Sequence, residues 1–320
     1  MTTSSTFRVL ALHVGVIVLL FALQFILPAY HHLAMTRVMV LAIFAMGYNM
    51  LFGYTGLLSL GHAMFFAAGL YGAGMTAYYT DLGVPLAFLI GIGSGFLLSL
   101  AVGLISLRTT GVAFMIVTMM FAQVAYLTTT YFTDYTRGEE GLTMPQTARS
   151  FDLLGLHVDL TSAADRYNLA LLLLVVTLVV MLLVVRGRMG RVLIAIRENE
   201  PRTLMLGYDT FRLKLMALVI SGTISAMAGA AYALLFGYIG ATFASIQYSI
   251  EALLFTLLGG AGTILGPLLG TVSMFYMIDF ASEHTAAYML LIGVALVVLV
   301  LYFPKGILGT IRERFLPWLP

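Results

Sequence analysis

The sequence predicts an all-α polytopic membrane protein of about ten transmembrane helices, the alternative being eight crossings plus re-entrant segments. Three observations predict it. The 320 residues are 61% hydrophobic and 9% charged, with mean hydropathy +1.02, and the exterior of a soluble domain needs far more polar surface. The apolar residues come in runs of about 20, the length that spans a bilayer. The runs lack the alternation of a barrel strand, and lipid satisfies no backbone hydrogen bond, so each run is expected to be a helix. The spans consume the chain, which reads as a single transmembrane domain over residues 1–320 with no room for a nucleotide-binding or catalytic domain beside it.

In order, the apolar runs fall near 9–28, 36–52, 61–80, 84–106, 111–131, 167–186, 212–237, 241–258, 263–281 and 285–303. The first follows Arg8, ends in "FILPAYHH" and has no small-x-small cleavage pattern, so it reads as a retained helix and not a signal peptide. The second and third are separated by "GYTGLLSLG", Gly53 to Gly61. Between the fifth and sixth lies a hydrophilic stretch, 132–166, with Asp134, Glu139, Glu140, Asp152, Asp159 and Asp165 against Arg137, Arg149 and Arg166. Between the sixth and seventh, residues 186–214 carry Arg186, Arg188, Arg191, Arg197, Arg202, Arg212 and Lys214 against Glu198, Glu200 and Asp209. The excess of basic residues places the second stretch in the cytoplasm and leaves the first as an external loop. Lys305, Arg312 and Arg314 after the last span agree. Ten crossings from a cytoplasmic N-terminus satisfy these constraints, put Arg108 inside, and leave both termini cytoplasmic.

On that count the "GYTGLLSLG" break falls near the cytoplasmic end of its spans. A second Gly/Pro-rich break, "LLGGAGTILGPLLG" (Leu257 to Gly270), falls on the same side in the other half of the chain. Paired interruptions in corresponding positions point to a transport pathway. Gly53, Tyr54, Thr55, Gly56, Ser59, His62, Gly259 and Gly260 are therefore candidates for the translocation path or its gate. Glycine also lets helices approach closely, and Gly69–Gly74 reads as packing of that kind.

The segment "RGRMGRVLIAIRENEPRTLMLGYDTFRLK" keeps helical periodicity within a polar stretch. Val192, Ile194 and Ile196 are expected to form the apolar face of a short helix, with Arg191, Arg197, Glu198 and Glu200 displayed elsewhere. Pro201 stops or restarts that helix, and Gly207 before Tyr208-Asp209 reads as its end. Such a helix rests on the lipid surface or docks in a partner's groove; the mixture of Arg and Glu favours a protein partner.

Several chemistries have no signal. There is no cysteine, no GxxxxGK[ST] phosphate loop, and no HExxH, EF-hand or GxSxG pattern, so neither an internal ATPase, a metal site nor a nucleophile elbow is expected. A net charge of +2 makes no case for nucleic acid. His31-His32 reads as a solvated pair at an outer loop. Glu251, in "QYSIEALLF", is an intramembrane charge and marks either a pathway or a hydrogen-bonded lock between helices, with the lock or a gate favoured over direct ligation. Asp279 and Glu283 border the outer end of their helix. His62 starts the third span, where a backbone-bonded helix-start histidine is the expected role.

"GYTGLLSLGHAMFFAAGLYGAG", "GRVLIAIRENE" with Gly207 following, "LLGGAGTILGPLLG" and the final "LVVLVLYFPKGILG" occur in the order and context of the permease subunits of branched-chain amino-acid ABC importers. The chain resembles that family from about Leu41 to Gly309. The resemblance implies a permease domain in the bacterial inner membrane. It implies a coupling segment within residues 187–211, with Arg191, Ile196, Arg197, Glu198 and Glu200 facing an ATPase. It also implies two cytoplasmic ATPase subunits that hold ATP-Mg, a second permease subunit, and a periplasmic binding protein that delivers a branched-chain amino acid or a related amino acid, amide or urea. No cofactor is expected on this chain itself. The alternative reading is a stand-alone secondary transporter or channel. The chain departs from the family after Glu200, where Pro201-Arg202-Thr203-Leu204 replaces the usual small residues.

Overall fold

A computed structural model describes residues 3–153, 156–285, 287–303 and 305–314. The order is α1 (Thr3–Leu23), α2 (Ala29–Thr55), α3 (Ala63–Tyr79), α4 (Val84–Ser106), α5 (Val112–Tyr131), a single turn α6 (Thr133–Thr136), α7 (Ala163–Arg186), α8 (Arg188–Met205), α9 (Thr210–Phe236), α10 (Ile246–Gly259), α11 (Gly266–His284), α12 (Tyr288–Tyr302) and α13 (Gly306–Arg314). Each of the ten apolar runs coincides with one helix, while α6, α8 and α13 lie between or after them. Five helices, α2, α4, α5, α7 and α9, are long and apolar enough to cross a membrane by themselves; the apolar parts of α1 and α10 are shorter.

Helix α9 is the hub, packed on α2, α3 and α4. Small residues let it get that close, as expected where lipid supplies no hydrophobic drive between helices. A Cβ on Gly229 would enter the Phe66 carbonyl of α3, and one on Gly69 would enter the Ala226 carbonyl of α9. Gly69–Gly74 thus serves packing against α9 and its neighbours. By contrast α4 and α5 leave most of their surface outward, with Leu89, Leu97, Met120 and Val124 exposed, as lipid-facing or partner-facing helices do.

The hydrophilic stretch 132–166 is more structured than a loop. Strand β1 (Leu142–Thr143) pairs antiparallel with β4 (Tyr238–Ile239), and β2 (Ser150–Leu153) pairs with β3 (Leu156–Asp159). Arg149 fastens this cap. Its guanidinium, 8% exposed, donates to the carbonyls of Leu234 at 2.9 Å and Leu160 at 3.0 Å, and also to Leu235. Leu234 and Leu235 belong to the last turn of α9, so a cation satisfies carbonyls that the helix leaves open.

Candidate functional site: where two helix breaks meet

Helix α2 ends at Gly56, whose φ of +74° lets its amide close the last turn on the Phe52 carbonyl at 3.1 Å. The chain does not leave the bundle there. Residues 56–62 run back inside, and α3 starts deep among the helices. Depth follows from partners. The Ser221 hydroxyl of α9 donates to the Gly47 carbonyl at 2.5 Å and sits 2.9 Å from His62 Nε2. Gly47 lies about 12 Å before the end of α2, at about 1.5 Å per residue. Because the single hydroxyl proton of Ser221 is spent on Gly47, donor counting puts the proton of His62 on Nε2. Nδ1 is buried without a partner. His62 is fully buried, with Tyr48 and Phe65 ring centroids 5.0 and 5.3 Å away. It occupies the start of α3 as expected, but its ring bonds to a serine side chain and not to backbone.

Helix α10 is the counterpart. Only 14 residues long, it also begins inside the bundle, and the Ser249 hydroxyl accepts the Ala63 amide of α3 at 2.8 Å. Two helix starts therefore adjoin in the interior, one helix running each way. At its far end α10 stops at Gly259 and turns through Gly260 (φ +122°) and Gly262 (φ +76°) into α11. Gly259 packs so tightly on α11 that a Cβ would overlap the Gly266 carbonyl.

The two breaks touch. Asn49 of α2, completely buried, donates from Nδ2 to the Thr263 carbonyl at 2.8 Å and accepts from the Gly262 amide at 2.9 Å. It does for the second break what a paired strand would do, satisfying one carbonyl and one amide with a single side chain. Asn49 carries no signal in the sequence beyond being a lone amide in an otherwise apolar run. Tyr54 and Thr55 are buried beside the junction, the Thr55 hydroxyl bonding back to Leu51, and Ser59 accepts the Gly61 amide at 3.3 Å.

Two arginines close the junction from the end that carries α8 and α13. Arg197 Nη1 donates to the Gly53 carbonyl, and its stem lies where a side chain at Gly56 would be. Arg312 Nη1 of α13 donates to the Gly262 carbonyl at 3.2 Å. Between them opens a cleft of about 580 Å³ lined by Phe52, Arg197, Thr263, Lys305, Arg312 and Glu313. The Lys305 ammonium, 2.7 Å from Glu313, holds that carboxyl below the usual carboxylate range.

Helix α8 is two helices joined by a kink. Asn199 leaves helical geometry (φ −160°, ψ 95°), and its Oδ1 accepts the Arg202 amide at 2.9 Å, an N-cap for the second piece. Pro201 then sits in the first turn of the restarted helix, where its missing amide costs nothing. Gly207 (φ +88°) ends it, and Asp209 caps α9 by accepting the Arg212 amide at 3.0 Å.

The apolar face differs from the one expected. Leu193 and Ile196 are buried, 0% and 4% exposed, while Ile194 points outward at 41%. Ile196 therefore packs on this chain's own bundle and does not face a partner, because i and i+3 positions share one side. Arg191 and Glu198 are exposed, Arg197 reaches inward to Gly53, and Glu200 pairs with buried Lys214 of α9 at 2.5 Å. The restarted piece shows Leu204, Met205 and Leu206 to the outside at 58%, 86% and 70%. Of the residues expected at a site, Gly53, Gly56, Arg197 and Gly260 thus converge; His62 and Glu251 lie deeper, toward the interior start of α10.

The family described as "Branched-chain amino acid transport system / permease component" matches residues 32–301. The chain belongs to this family of branched-chain amino acid transport permeases. The high-affinity branched-chain amino acid transport system permease protein LivM of Escherichia coli (strain K12) is 31% identical over 308 residues, covering 87% of this chain and 70% of the relative. LivM of Salmonella typhimurium is 29% identical over 304 residues, with the same coverage. The permease protein LivH of Escherichia coli (strain K12) is 25% identical over 288 residues, covering 84% and 91%. No solved structure matches. The four segments whose resemblance points to this family lie, apart from the end of the last one, inside the matched range. Among the described residues no group of three or more His, Asp or Glu is placed to hold a metal.

Proposed function

We propose that this permease is a solute-conducting subunit of an ATP-driven importer in the bacterial inner membrane. It works with a second permease subunit, two cytoplasmic ATPase subunits that bind ATP-Mg, and a periplasmic binding protein that delivers a branched-chain amino acid or a related small polar solute. The chain crosses the bilayer ten times with both termini cytoplasmic; α3 and α10 are short spans because each begins inside the bundle.

One observation carries the mechanical part of the reading: Arg197 of α8 holds the Gly53 carbonyl where the two breaks meet. In this reading α8 is the coupling segment, and a movement of α8 pulls directly on the break between α2 and α3. The exposed Arg191, Glu198, Leu204, Met205 and Leu206 form its outer face toward an ATPase. Leu204 belongs to the stretch, Pro201 to Leu204, that departs from the family pattern. The Lys214–Glu200 pair ties α8 to α9, so force applied outside is passed to the bundle beside the junction. Arg312 holds the other break, and release of both carbonyls lets the junction change between two packings.

The test is the double substitution Leu204→Glu/Met205→Glu, which leaves every internal bond named above in place. In membranes holding the complete importer it is expected to abolish co-purification of the ATPase subunits and ATP-driven uptake while the chain still inserts. Full co-purification would show that the ATPase docks elsewhere.

A further inference from the structure

Helix α2 is buried along almost its whole length, 94% of its most apolar window, yet Arg37, about a third of the way along it, is exposed. Glu251, in the second turn of α10, is exposed too. The two lie at opposite ends of one row of aromatic rings. The Arg37 guanidinium lies 5.8 Å from the centroid of the Tyr232 ring. Glu251 lies three residues beyond Tyr248 on α10, on the same side of that helix. Tyr248 stacks on Phe44 at 5.4 Å and packs on Phe243 at 5.2 Å, which meets Tyr232 at 4.8 Å. The hydroxyl of Tyr248 is buried without a partner. Among the described residues Arg37 and Glu251 form no ion pair, and the Glu251 carboxylate makes no hydrogen bond.

Two opposite charges at membrane depth, at the two ends of one aromatic row and not paired with each other, are costly. They become favourable when a ligand brings the complementary charges. A guanidinium fork suits a carboxylate, and a carboxylate suits an ammonium. The tyrosine and phenylalanine faces suit a cation or an aliphatic chain.

We infer that Arg37 and Glu251 form a zwitterion site in the translocation path, with Arg37 taking the α-carboxylate and Glu251 the α-ammonium of a free amino acid, over a floor of Tyr232 and Tyr248. This rests on the proposal that the chain conducts the solute, and it narrows that proposal: amino acids fit the site, whereas amides and urea, which lack the charge pair, do not. Glu251 is then a direct ligand of the solute and not a lock between helices.

The experiment uses the complete detergent-solubilised importer without ATP or binding protein. Three probes are titrated calorimetrically at millimolar concentration: L-leucine, isopentylamine, which lacks the carboxylate, and 4-methylpentanoate, which lacks the ammonium. The expected result is that leucine binds at least tenfold tighter than either single-charge probe. Arg37→Gln is expected to erase the preference over isopentylamine, and Glu251→Gln the preference over 4-methylpentanoate. Equal binding of the three probes to the unsubstituted complex would overturn the assignment whatever the variants do. Variants that keep the original preferences would overturn it as well. ATP-driven uptake by the unsubstituted complex is measured separately, so failure of the importer reading is distinguished from failure of the zwitterion site.

Discussion

Replacing Asn49 with alanine removes one side chain and orphans two backbone groups at once. The Thr263 carbonyl, buried, loses its donor at 2.8 Å, and the amide of the half-buried Gly262 loses its acceptor at 2.9 Å. Each orphaned group costs about 1–3 kcal/mol, so the closed form of the second break loses about 2–6 kcal/mol. At about 1.4 kcal/mol per factor of ten, the opening equilibrium rises between about thirty-fold and about twenty-thousand-fold. Water entering the vacated volume moves the result to the lower end. The assay is hydrogen exchange by mass spectrometry on peptides covering 257–270 in the detergent-solubilised protein, with 210–236 of α9 as internal control. Exchange in 257–270 is expected to accelerate while the control is unchanged. An acceleration below about threefold would refute the reasoning, since it would mean the break keeps its shape without Asn49.

Other consequences are equally direct. Gly69→Val drives a side chain into the Ala226 carbonyl; overpacking of this kind costs about 1–3 kcal/mol or more, read as a lower melting temperature in detergent. Arg149→Ala leaves the carbonyls of Leu160, Leu234 and Leu235 without their donor; a loss of about 1.5–3 kcal/mol in the cap that holds the strands should appear as faster proteolysis within 142–159 with the helices intact. Arg197→Lys keeps the charge but not the fork, so ATP-driven uptake should fall while insertion and the Lys214–Glu200 pair persist; unchanged uptake would free α8 from the role given to it. The Lys305–Glu313 pair is exposed, and its lowered carboxyl pKa stabilises above the unfolded carboxylate value, the contribution fading as pH falls through the lowered one. Because an exposed pair contributes little, Glu313→Gln should lower the melting temperature only slightly, and by the same amount across about pH 6 to 8.

Helix positions were legible because lipid imposes one rule on every span: enough apolar residues, helical, in one run. The gain of a turn at Pro201 and the stop at Gly207 were legible for a similar reason, since both follow from backbone chemistry at a single residue. What escaped were long-range partners. Asn49 to Thr263, Ser221 to His62 and Ser249 to Ala63 each join residues more than a hundred positions apart, and nothing local to any of them names the other. The face of α8 was misjudged by one position for a related cause: Leu193 and Val192 are equally apolar, and only the bundle decides which turns in. The strands β1 to β4 are two to four residues long, too short for alternation to register. The two Gly-rich segments are indeed where the helices stop, and the structure adds that these breaks touch, held by Asn49 from within and by Arg197 and Arg312 from the end that carries α8.

The central claim is that this chain moves solute only when an ATPase pulls on α8. Proteoliposomes holding the complete importer with its binding protein measure this directly, through uptake of radiolabelled leucine with ATP or a non-hydrolysable analogue inside. The account predicts uptake with ATP, background with the analogue, and background with this chain reconstituted without its ATPase subunits. Accumulation by the chain alone, driven by an ion gradient, would contradict it.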